Sequence, residues 1–211
     1  TAAALALGLL GARSRPILAG VALGFLTIKP QYGLLAPLFL AATGCWRAIG
    51  AAALTAGTLA LLSIPAFGMA TWRAYFDSFS GSPAAYYGVG IYGAASASQL
   101  ALKLGASVTL AGAMQLVAIL SAAAASLILA RRSDFRTAAG ATLILSLAAA
   151  PSAWTYDWAM LAIGLAVISR RHRRWPLHLQ ALALFPWRAP YLILFRVSAI
   201  AAPLSLFALA I

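Results

Sequence analysis

Chemistry in this chain has few residues to draw on. Its 211 residues include 15 Lys+Arg but only 3 Asp+Glu, so each acid, and each cation outside a cluster, carries weight. Lys29-Pro30-Gln31-Tyr32 lies between two apolar runs and brings together an ammonium, an amide and a phenol. Such a set can hold a phosphate or pyrophosphate, the ammonium supplying charge and Gln31 and Tyr32 hydrogen bonds. The plain alternative is a lysine snorkelling from a helix end. A second group is Pro151-Ser152-Ala153-Trp154-Thr155-Tyr156-Asp157-Trp158. Trp154 and Tyr156 alone fit the interfacial belt of any membrane protein. Asp157 stands in the first turn of an apolar helix, where the dipole favours a carboxylate. It has three functional roles open to it: binding sugar hydroxyls, orienting a base, or anchoring a cation such as Lys29. The alternative is a helix cap at the interface.

Other candidates are weaker. Trp72, Arg73, Tyr75, Asp77, Tyr86, Tyr87 and Tyr92 offer the aromatic faces and polar tips that stack on sugars, although belt aromatics are commoner. An Arg73–Asp77 pair at i,i+4 is worth only about 0.2–0.5 kcal/mol. Asp134, between Arg132 and Arg136, reads as a solvated partner of those arginines. A single cysteine, Cys45, excludes an internal disulfide and a cysteine-based metal cluster, and His172 and His178 lack the spacing of a zinc site. No metal and no cofactor is expected. No phosphate-cradling glycine loop, nucleotide fold or Ser/His/Asp arrangement is visible.

The elements that must position these residues are membrane helices. Hydrophobic residues make up 64% of the chain and charged ones 9%, with a mean hydropathy of +0.93; soluble chains average about 25% charged residues. The net charge of +12 is gathered in short clusters between long apolar runs, which indicates positive-inside topology and argues against nucleic acid. A span needs roughly 20 apolar residues. Residues 48–69 and 104–130 meet that length without a charge, and 137–150 with 158–169 form a helical hairpin. Beyond it, 176–187 is short and Pro-bounded, and 189–211 is long enough to span but carries Arg196. The chain reads as one transmembrane domain over 1–211, an all-α polytopic helical bundle, with an outer loop over about 70–103. Because it opens on Thr1 and an already apolar stretch, it reads as the C-terminal part of a longer membrane protein.

Orientation follows from placing Arg13, Arg15, Arg47, Arg131, Arg132, Arg136, Arg170, Arg171, Arg173 and Arg174 on the cytoplasmic side. Lys29, Arg73, Lys103, Arg188 and Arg196 are then outside or within the membrane. Two full spans do not fit between Arg15 and Arg47, so 17–28 and 33–43 must form a short broken or re-entrant hairpin with Lys29-Pro30-Gln31-Tyr32 at its apex. That apex sits below the far surface. A lysine there costs about 2.5–3.5 kcal/mol on insertion scales, and broken backbone at such depth survives only beside protein or a water-filled cavity. One long kinked helix over 17–43 is the alternative. The Gly20–Gly24 pattern favours close helix packing, but says little in so alanine-rich a chain.

The stretch Gly20-Val21-Ala22-Leu23-Gly24-Phe25-Leu26-Thr27-Ile28-Lys29-Pro30-Gln31-Tyr32-Gly33, then Trp46-Arg47-Ala48, then Phe67-Gly68 with Trp72-Arg73-Ala74-Tyr75, resembles the family-87 membrane glycosyltransferases of the C-type superfamily. The Pro151–Asp157 corner is similar to that family's proline-and-tyrosine turn ending in Tyr-Asp. The likeness reaches from about Gly20 to Ile168. It implies a C-type transferase bundle in the bacterial plasma membrane and cell envelope. The reaction implied is inverting transfer of a sugar, often mannose, from a polyprenyl-phosphate donor to a lipid or glycan acceptor on the extracytoplasmic face. The family's general base is an acid in the first outer loop, which this chain lacks, so the base is expected upstream of Thr1 and the fragment is expected to be inactive alone. The residues expected to bind substrate are Lys29 at the donor phosphate, with Gln31 and Tyr32, and Trp154, Tyr156 and Asp157, the last two shaping the sugar or acceptor pocket. A flippase-like permease and a non-catalytic membrane scaffold are the competing readings.

Overall fold

A computed structural model of the chain describes residues 1–80 and 96–169; the expected elements at 176–187 and 189–211, and Tyr86, Tyr87 and Tyr92, lie outside the described residues. Where described, the chain is helical, without strands. Helix α1 (Ala2–Gly11) turns at Arg13 and Arg15 into α2 (Pro16–Gly24), which Pro16 opens from a first-turn position where its missing N–H is not needed. Two 3₁₀ turns, Phe25–Ile28 and Pro30–Gly33, meet at Lys29. As the residue before proline, Lys29 is driven out of the helical region, to φ −141° and ψ 72°. The expected break therefore forms, and the continuous kinked helix does not. Helix α3 (Ala36–Ala42) returns, and after Gly44 at φ 72° the long α4 (Trp46–Phe67) departs.

Glycine contacts fix the direction of these elements. A Cβ on Gly20 would overlap Ala51 and lie 2.5 Å from the Ala48 carbonyl, and one on Gly24 would overlap Thr55 and lie 3.0 Å from the Ala52 carbonyl. Both sets of residues ascend together, so α2 and α4 run parallel with backbones in near contact. The segment 17–43 is thus an out-and-back excursion. Extrapolating this register at about 1.5–2.0 Å per residue places Lys29 roughly 10 Å short of the far end of α4.

Gly68, at φ +80°, ends α4 and starts α5 (Met69–Ser80). The segment 70–103, expected as an outer loop, therefore begins in a helix and ends in another, α6 (Ala97–Lys103). Helices α7 (Val108–Arg132) and α8 (Phe135–Ala149) form an antiparallel pair, and α9 (Ala159–Ser169) packs back along α8. Side-chain oxygens start these helices: Ser107 accepts from the Leu110 N–H, and Asp134 accepts from the Thr137 N–H at 3.2 Å. Asp134, exposed between Arg132 and Arg136, also serves as the N-cap of α8.

Helix α8 is the axis of the bundle. Every residue from Ala138 to Ala149 is buried, with α1, α3, α7, α9 and the Pro30–Gly33 turn packed around it. A helix apolar on all faces belongs at the centre of a bundle. The outer helices are the reverse. Helices α4 and α7 are long and apolar enough to cross a membrane, yet only 6% and 22% of their apolar windows are buried. Leu54 is 73% exposed and Leu61 69%. Such surface has no place against water, and its partner is lipid.

On α7 the inward stripe is Ala111, Gln115, Ala118, Ala122 and Ser126. Ser126 Oγ and Thr142 Oγ1 are 2.9 Å apart across the α7–α8 seam; because the threonine hydroxyl already donates to the Ala138 carbonyl, the serine is the donor between them. Ser126→Ala should lower bundle stability by about 0.6 kcal/mol, measurable by unfolding in mixed micelles.

Candidate functional site

Six of the seven described arginines collect at one end of the bundle, and Arg73, on α5, lies beyond the far end of α4. Arg13 and Arg15 lie in the α1–α2 turn, Arg47 in the first turn of α4, and Arg131, Arg132 and Arg136 around the start of α8. The Arg13 guanidinium stands 4.4 Å from the centroid of Phe135, and Phe39 meets the same ring at 5.4 Å. Lys29 lies at the opposite end, where α8 stops and the Pro151 corner begins. The six clustered arginines are thus separated from Lys29 by the length of α8, about 22 Å.

At that far end Lys29 Nζ is 2.9 Å from Asp157 Oδ1, a contact between residues 128 positions apart. The Tyr32 hydroxyl donates to Asp157 Oδ2 at 2.6 Å, and the Trp154 backbone N–H donates to the same oxygen at 3.3 Å. Lys29 Nζ also stands 5.8 Å from the centroid of the Tyr32 ring. Local structure explains each position. The break before Pro30 turns Lys29 inward, and the 3₁₀ turn that follows buries Tyr32 completely. Asp157 occupies a 3₁₀ turn, Thr155–Trp158, that leads into α9; its own N–H donates to the Trp154 carbonyl at 2.9 Å. Of the roles open to Asp157, the geometry shows an anchor for Lys29.

The pair is asymmetric. The Asp157 side chain is 5% exposed and that of Lys29 28%. The ammonium is the more exposed partner, and the buried carboxylate accepts from Lys29 on Oδ1 and from Tyr32 and the Trp154 N–H on Oδ2.

The other expected residues divide. Gln31 is half-buried, and its side chain makes no hydrogen bond among the described residues. Trp154 contributes its backbone to Asp157. The side chain of Tyr156 lies outside the described residues. Trp72, Tyr75 and Phe76 on α5 pack on one another at 5.7–6.3 Å, and the Trp72 indole donates to Ser63 on α4 at 2.9 Å. Two grooves, of about 680 Å³ beside Leu10, Asp134 and Ile163 and about 250 Å³ beside Leu61, Trp72 and Arg73, do not include Lys29 or Asp157. The site stands out by its charges. Sequence reasoning passed over Gln115 and Ser98, which brace the Pro151 corner from α7 and α6; the available signal was a lone amide in an otherwise apolar span.

Residues 1–151 match the family model described as glycosyltransferase family 87. No curated protein and no solved structure matches the chain. The match contains Lys29, Tyr32 and the whole of α8, and stops just before Asp157. It covers well over half of the sequence, and the chain belongs to glycosyltransferase family 87.

Proposed function

We propose that the protein transfers a sugar, mannose in the first instance, from a polyprenyl-phosphate donor to a lipid or glycan acceptor at the extracytoplasmic face of a bacterial plasma membrane. The observation that carries this reading is the asymmetric pair. An ammonium is presented at the broken apex of an apolar hairpin, with its counter-ion buried behind it, at the end of the bundle opposite the cluster of six arginines. Positive-inside topology makes that end the outer one.

In the proposed reaction the acceptor hydroxyl attacks the anomeric carbon from the side opposite the phosphate. The new oxygen–carbon bond forms as the bond to the phosphate oxygen breaks, and the proton goes to a base. The leaving polyprenyl phosphate gains a second negative charge during this step. Lys29 is placed to stabilise that developing charge, a contribution realised mainly in the transition state. Tyr32 and Asp157 hold the ammonium, and Gln31, Trp154 and Tyr156 shape the pocket for sugar or acceptor. The proton goes to a base other than Asp157, whose oxygens already accept from Lys29, Tyr32 and the Trp154 N–H.

Membranes carrying the full-length protein should transfer radiolabelled mannose from polyprenyl-phosphate mannose with inversion at the anomeric carbon. Transfer from a nucleotide sugar alone, in membranes depleted of lipid-linked sugar, would refute the donor class.

A further inference from the structure

The chain between α8 and α9 leaves regular helix at a level where backbone groups have little water to satisfy them, and every such group needs a partner. Those partners come from several elements. Gln115 on α7 donates through Nε2 to the Ala149 carbonyl at 2.9 Å, and through Oε1 accepts from the Ser98 N–H at 3.2 Å. The Ser98 hydroxyl reaches the Pro151 carbonyl at 3.5 Å, and Ser96 Oγ lies 3.1 Å from Ser98 Oγ. From the other side the Tyr32 hydroxyl stands 3.3 Å from the Ser152 carbonyl. Gln115 is 4% exposed and Ser98 fully buried. An amide inside an apolar span is expensive unless both its ends are satisfied. Both ends of Gln115 are satisfied, one by the last residue of α8 and one by the start of α6.

We infer that Gln115 is a positioning residue for the Lys29–Asp157 pair. Its amide fixes where α8 stops, and with Ser98 it fixes the corner that delivers Asp157 to Lys29. An apolar residue of the same length would fill the space but leave the Ala149 carbonyl and the Ser98 N–H without partners, so the corner would shift to find others. A displacement of about 1 Å at a reacting centre can cost about 10²-fold in rate. This inference rests on the proposed function for its catalytic consequence, though not for its structural one.

The test compares wild type, Gln115→Met and Gln115→Glu in the full-length protein, reconstituted in nanodiscs. Backbone amide exchange over 149–157 and the kinetics of transfer from polyprenyl-phosphate mannose are measured together. Gln115→Met should speed exchange in that corner while α7 and α8 stay protected, and should lower kcat about 10- to 100-fold with the donor KM changed less than about threefold. Gln115→Glu, whose neutral form keeps a donor and an acceptor, should recover both. Unchanged exchange in Gln115→Met overturns the inference, as does faster exchange with unchanged kcat. A wild type that uses no lipid-linked donor counts against the proposed function alone. The exchange comparison would then still decide whether Gln115 holds the corner.

Discussion

Lys29→Met should lower sugar transfer about 10²- to 10³-fold, the range seen when a single preorganised donor to a developing negative charge is removed. The methionine keeps the length and apolar stem of lysine, so packing at the break is preserved. What disappears is the ammonium facing the approach to the site, 28% exposed while its partner is 5% exposed. The fall should appear in kcat more than in the donor KM, because the phosphate acquires its second charge only as the sugar departs. Steady-state kinetics in reconstituted membranes would show it. Stability should fall as well. Asp157 would keep Tyr32 and the Trp154 N–H but lose its cation; because Lys29 is only part-buried, the cost should fall below the about 3–5 kcal/mol of breaking a fully buried pair.

Gly20→Val should damage the protein as severely by another route. Its side chain would have to enter the space held by Ala51 and by the Ala48 carbonyl on α4. Backbone cannot move aside as a flexible side chain can, so α2 must separate from α4. Overpacking of this kind costs about 1–3 kcal/mol and sometimes more. Loss should extend to activity, because α2 is the arm that carries the chain to Lys29. A matched control lies on the same α4 helix: Gly57 is exposed, and a Cβ there meets nothing within 4 Å. Gly57→Val should leave transfer unchanged and stability within about 0.5 kcal/mol. Unfolding in mixed micelles beside a transfer assay separates the two variants. Equal behaviour of the pair would show that the α2–α4 contact is unimportant.

Both predictions concern features that differ in how openly the sequence displays them. The spans over 48–69 and 104–130 were legible because long uncharged apolar runs have few other uses, and the helices formed there, Trp46–Phe67 and Val108–Arg132, differ by only a few residues at each end. The break at Lys29 was legible because proline constrains the residue before it and because too few residues separate Arg15 from Arg47 for two spans. That Asp157 meets Lys29 could be entertained from scarcity alone, since so few acids exist. The glycine seam was written plainly but was not readable. In an alanine-rich chain small residues recur every few positions, and only the packed structure tells Gly20 from Gly57. Gln115 was missed because an uncharged amide does not interrupt an apolar run. Helix α5 was missed because a Gly-bounded amphipathic stretch after a span reads as loop until its aromatic residues find one another.

The central claim is that Lys29 serves an anion from outside the protein and not only the carboxylate beside it. Lys29→Met combined with Asp157→Asn removes both charges and leaves no buried ion unpaired, so the fold penalty of the single variant should largely disappear. The decisive measurement is kcat for transfer from polyprenyl-phosphate mannose by this double variant in the full-length protein. The account predicts that stability returns while kcat stays at least about 10²-fold below wild type. Recovery of both stability and turnover would contradict it, because Lys29 would then be needed only to neutralise Asp157.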